Sequence, residues 1–259
     1  MNQSVQWAPG AVPNVLPAYF DIMARHARDH WWYQNRREWL TELLKDRVRV
    51  GGRAVDVGCG TGETLAALSR TGLASPVGTD LSQYVLKHAC IRSPFSLLRS
   101  SAENLPFADG SFACLTSLDV IEHLDDDLKA VEEYIRVVEP GGTVVLMTPA
   151  YQWMWSEHDE RAGHRRRYTA RRLTTLARQA GLQVEFVSYF NWFLLPPAAA
   201  IRRSPLRRLR RPSDEDVCDG VPSVSRAFAA LARMERAAAK RWRIPFGLSV
   251  VLVARVPAR

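Results

Sequence analysis

The fourteen residues from Ser156 to Thr169, SEHDERAGHRRRYT, hold two histidines, four arginines, three carboxylates and a tyrosine. Side chains of these types can grip a metal ion, clamp an anion, follow a nucleic-acid strand, or pair among themselves in water. A second concentration lies at VDVGCGTGET (55–64), where Asp56 stands two residues before Gly58, with Gly60 and Gly62 following. Glycines in such a loop let a ligand approach backbone N–H groups closely. The spacing is GxGxG and not the GxGxxG of a dinucleotide fold. A carboxylate at position 56 is awkward for a pyrophosphate and helpful to a ligand carrying positive charge. Asp80 follows eighteen residues after Gly62, near the interval at which an acidic side chain takes the two hydroxyls of a ribose. Gly78 keeps its approach open.

These residues need elements to position them. Short β-branched runs predict strands at 53–58, 75–81, 95–102, 111–120, 143–150, 183–190 and 249–256. Helical patterns lie at 17–46, 63–70, 82–91, 126–138 and 169–182. Ser82 and Thr169 are the expected N-caps, Gly181 the residue past the last of these helices, and EPGG (139–142) a helix stop. Strand–helix alternation calls for an α/β fold: a doubly wound, seven-stranded, mostly parallel sheet, Rossmann-like, with a helical cap. Ligands of such sheets sit at the carboxyl ends of the strands. The expected division is an N-terminal helical lid (1–46), a binding core (47–190), a helical and basic cap insertion (191–248) and the core's final strand (249–259).

At 259 residues and a net charge of +8, the chain suits one large domain with an anionic partner. Cys59, Cys90, Cys114 and Cys218 show no CxxC pairing and no leader precedes them, which predicts reduced thiols and a cytoplasmic protein. The apolar run WFLLPPAAAI (192–201) is too short to span a bilayer. The basic stretch that follows, 202–211, suits a cap with a solvated rim better than a membrane interface.

VDVGCGTG, VGTDLS, SAENLPFADGSF, LDVIEHLDD and VVEPGGTVVLMTPA, in that order, resemble the class I S-adenosylmethionine-dependent methyltransferases, in the style of the group that includes the ubiquinone and menaquinone methyltransferases. The likeness covers roughly residues 50 to 190 and the final strand. It implies S-adenosylmethionine as cofactor and S-adenosylhomocysteine as product. Asp56, Gly58, Cys59, Gly60 and Gly62 would then form the loop at the methionine end, Asp80 and Leu81 the ribose contact, and Ala102 and Glu103 the adenine contact. Asp119 and Val120 would lie beneath the methionine moiety. Two positions depart from the pattern: Ser101 stands where an acidic residue is common, and Ala113 where aspartate is common.

On this frame the segment after the fifth strand closes over an acceptor. Tyr151, Trp153 and Trp155 offer flat apolar walls, with Tyr33 on the N-terminal helix as a further aromatic, and His164 and Arg167 polar contacts. His158 is the expected general base and His123 its competitor. Glu122 and His123 also read as the start of the next helix. A metal held by His158, Asp159 and His164 is disfavoured by the neighbouring arginines, so no metal is expected; three carboxylates likewise dilute a nucleic-acid site. The expected activity is methyl transfer to a small organic acceptor bearing an acidic group, on oxygen ahead of nitrogen or carbon. The alternatives are a lipid-linked or membrane-associated acceptor, or a non-catalytic cofactor-binding protein. The expected assembly is a monomer or homodimer without nucleic acid.

Overall fold

The computed structural model describes residues 27–90, 94–203, 222–239 and 241–258. The expected N-terminal segment before residue 27, most of the basic 202–211 stretch and Cys218 lie outside them.

Seven strands form one sheet: β1 (Arg53–Val57), β2 (Ala74–Asp80), β3 (Ser96–Arg99), β4 (Phe112–Leu118), β5 (Val138–Pro149), β6 (Gln183–Phe190) and β7 (Ser249–Arg255). Their spatial order is β3-β2-β1-β4-β5-β7-β6. β1 to β5 run parallel, and β7 is antiparallel to both β5 and β6. The order reverses between β1 and β4, so the loops after these strands open on a shared crevice.

Near-continuous apolar sequence in the central strands reflects burial on both faces. Along β7, Val250, Leu252 and Ala254 join one core, whereas Val251 and Val253 join the other. Val144 and Leu146 of β5 divide in the same way from Val145 and Met147. This is the two-residue alternation of a pleated strand. The first core takes Val131 and Tyr134 of α4 (Asp127–Val137) and Leu173 of α6 (Ala170–Gln179). The second takes Trp39, Leu40 and Leu44 of α1 (Trp31–Leu44) and Leu65 and Leu68 of α2 (Glu63–Arg70).

The expected caps form. Ser82 Oγ accepts from the Val85 N–H at the start of α3 (Gln83–Cys90), and Thr169 Oγ1 from the Arg172 N–H. EPGG follows the end of α4, as expected of a helix stop, and lies in β5, where Gly141 and Gly142 exchange backbone bonds with Val256. One local expectation is corrected. Glu122 and His123 do not start α4; they form a separate 3₁₀ turn (Ile121–His123), and Asp126 caps the helix through the Lys129 N–H.

Two further helices complete the description: α7 (Leu195–Arg203) and α8 (Pro222–Ala239). The latter packs across α1: Trp31 meets Phe228 at 5.3 Å, and Arg236 pairs with Glu38. Glu235, buried, accepts from the Asn191 and Trp192 N–H groups at 2.8 and 2.7 Å. Among the described residues no helix is long and apolar enough to cross a membrane.

Candidate active site

The loop after β1 is stitched to the strand beside it. The N–H groups of Gly58 and Cys59 both donate to the Thr79 carbonyl, at 2.7 and 2.9 Å. Asp80, ending β2, reaches back: its Oδ2 accepts from the Gly60 N–H at 3.0 Å and its Oδ1 from the Ser82 N–H at 2.8 Å. Carboxylate oxygens have lone pairs to spare after one bond each, so Asp80 can still receive hydroxyl groups. Gly58 has φ +71°, and a Cβ there would stand 2.2 Å from Val120 Cγ2. A Cβ on Gly78 would meet Cys59 Sγ and Leu97 Cδ2, each at 2.7 Å. Glycine at 58 and 78 therefore lets the loop, β2 and the turn after β4 close on one another.

Asp56 lies buried beneath this loop and accepts from Thr116 Oγ1 at 2.6 Å. Burial pushes its carboxyl up to about 7, against the Thr116 bond and the charge of Arg36. Burial likewise raises the Asp80 carboxyl, against the backbone donors that hold it. Arg36 enters from α1 and pairs with Asp119, which follows β4 at φ +56°. Its guanidinium also stands 5.3 Å from the centre of the Tyr33 ring. The Arg36 Nε has no hydrogen-bond partner among the described residues. Arg36 was not legible as a site residue; the signal was Tyr33 and Arg36 three residues apart on one helical face.

Of the expected adenine contacts, Ala102 is buried and Glu103 half-buried, its N–H bonded to Ser101 Oγ. Both follow β3, beside the end of β2, while Leu81 is exposed with its carbonyl bonded by Arg99.

The stretch that holds this glycine cradle, closed by one acidic strand end and overlooked by a second, resembles known proteins. A family model described as a methyltransferase domain matches residues 55–146. The core of this chain is a class I S-adenosylmethionine-dependent methyltransferase domain. The demethylmenaquinone methyltransferase of Staphylococcus haemolyticus is 34% identical to this chain over 122 residues, 44% of this chain and 51% of that protein. The match thus spans about half the length of that relative. A probable S-adenosylmethionine-dependent methyltransferase of Mycolicibacterium smegmatis is 29% identical over 182 residues, 68% of each chain. The fold is also that of a chain in the complex between the Haloferax volcanii Trm112 methyltransferase activator and a putative methyltransferase. There the TM-score is 0.61 and the identity 22%, over 92% of this chain and 97% of that one.

After β5, the segment read as a loop contains a helix, α5 (Glu157–Ala162), ended by Gly163 at φ +74°. Asp159, fully buried, organises it. Its oxygens accept from the Ser156 N–H at 2.8 Å, from Arg167 Nε and Nη2 at 2.7 and 2.9 Å, and meet His164 Nδ1 at 2.8 Å. Burial opposes its ionisation, but the bonds from His164 and Arg167 outweigh that and hold the carboxyl below the ordinary range. Asp159, the carboxylate of the disfavoured His158–Asp159–His164 metal reading, is bonded to Arg167. Arg167, expected at the acceptor, is buried; its third contact is the Ala150 carbonyl at 3.1 Å.

Arg165 and Arg166 fasten this segment to the turn after β4. Arg165 donates from Nε to the His123 carbonyl at 2.9 Å and pairs with Asp125 at 2.6 Å. Arg166 pairs with Asp127 at 3.0 Å, and Tyr168 donates to the same carboxylate at 2.6 Å. His164 thereby comes against both other histidines, with ring centres 4.7 Å from His123 and 6.2 Å from His158. Burial and the His164 charge lower His158 to about 4 and His123 to about 3. Tyr151 stacks on Trp153 at 5.5 Å and on Tyr189 at 5.1 Å. Trp155 is half-buried and Trp153 49% exposed.

Proposed function

We propose that this chain transfers the methyl group of S-adenosylmethionine to a small organic acceptor, oxygen being the receiving atom and an acidic group part of the acceptor. The observation that carries the proposal is the joint placement of the Gly58–Gly62 cradle, Asp80 and the Asp119 turn at adjoining strand ends, with three histidines beyond that turn. The cofactor supplies a methyl carbon already activated by its sulfonium. Asp80 would receive the ribose, Ala102 and Glu103 flank the adenine, and Asp56 and Asp119 offset the positive charge of the methionine end.

The acceptor would lie between the Tyr151–Trp153 stack and the histidines. Alignment of the acceptor with the methyl carbon and exclusion of water supply most of the acceleration in such a displacement. A hydroxyl acceptor must also lose its proton. His158, held neutral at ordinary pH by burial, is the base we assign, with His123 as the competing candidate. The net basic charge of the chain favours an acidic group on the acceptor. Demethylmenaquinone, named for the staphylococcal relative, is one acceptor to include in a screen.

The test is an acceptor screen by mass spectrometry followed by His158→Ala. The expected loss in kcat is about 10²–10⁴-fold, the range for removing a general base, with donor binding unchanged. For the wild type, the rate should stay flat above about pH 5, because His158 has already lost its proton there. A variant with wild-type kcat at every pH would remove His158 from the mechanism.

A further inference from the structure

Three donor side chains converge behind the Asp119 turn. Glu122 is wholly buried, and neither of its carboxylate oxygens has a hydrogen-bond partner among the described residues. Buried carboxylates are ordinarily paired, and one left alone is costly. One carboxylate oxygen of Glu122, one ring nitrogen of His123 and one of His164 all lie within 4.8 Å of one another. Ligands of a tetrahedral ion at about 2.1 Å stand about 3.4 Å apart, so modest side-chain rotation closes the set.

One of the two imidazoles is also held from behind. His164 Nδ1 meets Asp159 Oδ1 at 2.8 Å, which leaves Nε2 as the remaining donor atom of that ring. A carboxylate or a backbone group on the outer nitrogen is the usual support of a metal-bound histidine. Nearby arginines argue against a cation in the sequence, but in the fold their charges are met. Arg165 pairs with Asp125, Arg166 with Asp127, Arg167 with Asp159 and Arg36 with Asp119.

We infer that Glu122, His123 and His164 bind one divalent first-row transition ion. Two imidazoles and one carboxylate suit zinc, iron, cobalt or manganese better than magnesium or calcium. Three protein ligands leave a position for an exogenous oxygen. An acceptor hydroxyl bound there would lose its proton more readily. That consequence rests on the proposed methyl transfer, whereas ion binding does not.

The test uses the full chain, freed of metal by chelator and dialysis, without cofactor or acceptor. Zn²⁺ and Co²⁺ are titrated by calorimetry, and Co²⁺ is also followed by its visible absorption. The expected result is one ion per chain, with no comparable heat from Mg²⁺. Glu122→Gln and His164→Asn should each weaken uptake by about 100-fold, the upper end of what losing even a supporting residue costs. Circular dichroism and melting establish that each variant is folded, and His123→Asn replaces either one that is not. Saturable uptake lost in the folded variants supports the site. No saturable uptake by the wild type, or uptake unchanged in folded variants, overturns it. A protein that takes up the ion but methylates no acceptor keeps this site and loses the proposed function.

Discussion

At the scale of single residues, the protonation of Asp56 connects stability to ligand binding. Burial lifts its carboxyl to about 7 from the ordinary 3.8, with Asp80 adding to the rise and Thr116 and Arg36 opposing it. An acid whose folded-state value is raised contributes stability that is fully present below the unfolded value. That contribution is lost as pH climbs through the folded value. For Asp56 the window runs from about pH 4 to about pH 7, and the change amounts to about 4 kcal/mol at most. The ligand-free protein should therefore lose stability across that window, and Asp56→Asn should flatten the slope. Affinity for the cationic donor should move oppositely, rising toward pH 7 and levelling above it. Denaturant titrations of both proteins at several pH values measure the first effect, and calorimetry the second. Equal slopes in the two proteins would contradict the assignment. The position of Asp56 before the glycines was plain in the sequence. Its burial was not, because burial depends on the loop folding back onto Thr79.

At the scale of elements, the segment after β5 is held together by Asp159 and fastened to the turn after β4 by Arg165, Arg166 and Tyr168. Asp159→Asn leaves the Arg167 guanidinium buried without its counter-charge, a change that costs about 3–5 kcal/mol in such pairs. We expect a loss of that size in chemical denaturation, and with it a weaker grip on any acceptor. A loss under about 1 kcal/mol, the value of an exposed pair, would show that Asp159 does not organise the segment. Much of this piece was illegible in SEHDERAGHRRRYT. Arg165 and Arg166 read equally well as anion clamps, because their partners lie up to forty-two residues away in the turn after β4. The helix at 157–162 was hidden for a different reason. Its first turn carries three carboxylates and no apolar stripe, and the local capping box of Ser156 and Asp159 is the one helix signal it offers. The caps Ser82 and Thr169, with partners likewise three residues away, were legible because longer apolar-patterned helices follow them.

At the scale of the whole molecule, the alternation of strands and helices was sufficient for the seven-stranded sheet, and the glycine loop and Asp80 meet at adjoining strand ends of that sheet. The position of α1 was not legible to the same degree. Its packing on α8 uses Asn35, Asn191, Glu235 and Arg236, polar residues that carry no periodic apolar signal. That packing brings Arg36 over the crevice to Asp119, so the helical layer and the sheet meet at the methionine end of the proposed cofactor site. The most direct measurement is calorimetric titration of S-adenosylhomocysteine into the wild-type chain and Gly58→Ala. The account predicts one saturable site in the wild type. It predicts affinity lower by about 30-fold or more in the variant, where a left-handed residue other than glycine costs roughly 2 kcal/mol and its Cβ collides with Val120. No heat from the wild type, or equal affinity in the two proteins, would contradict it.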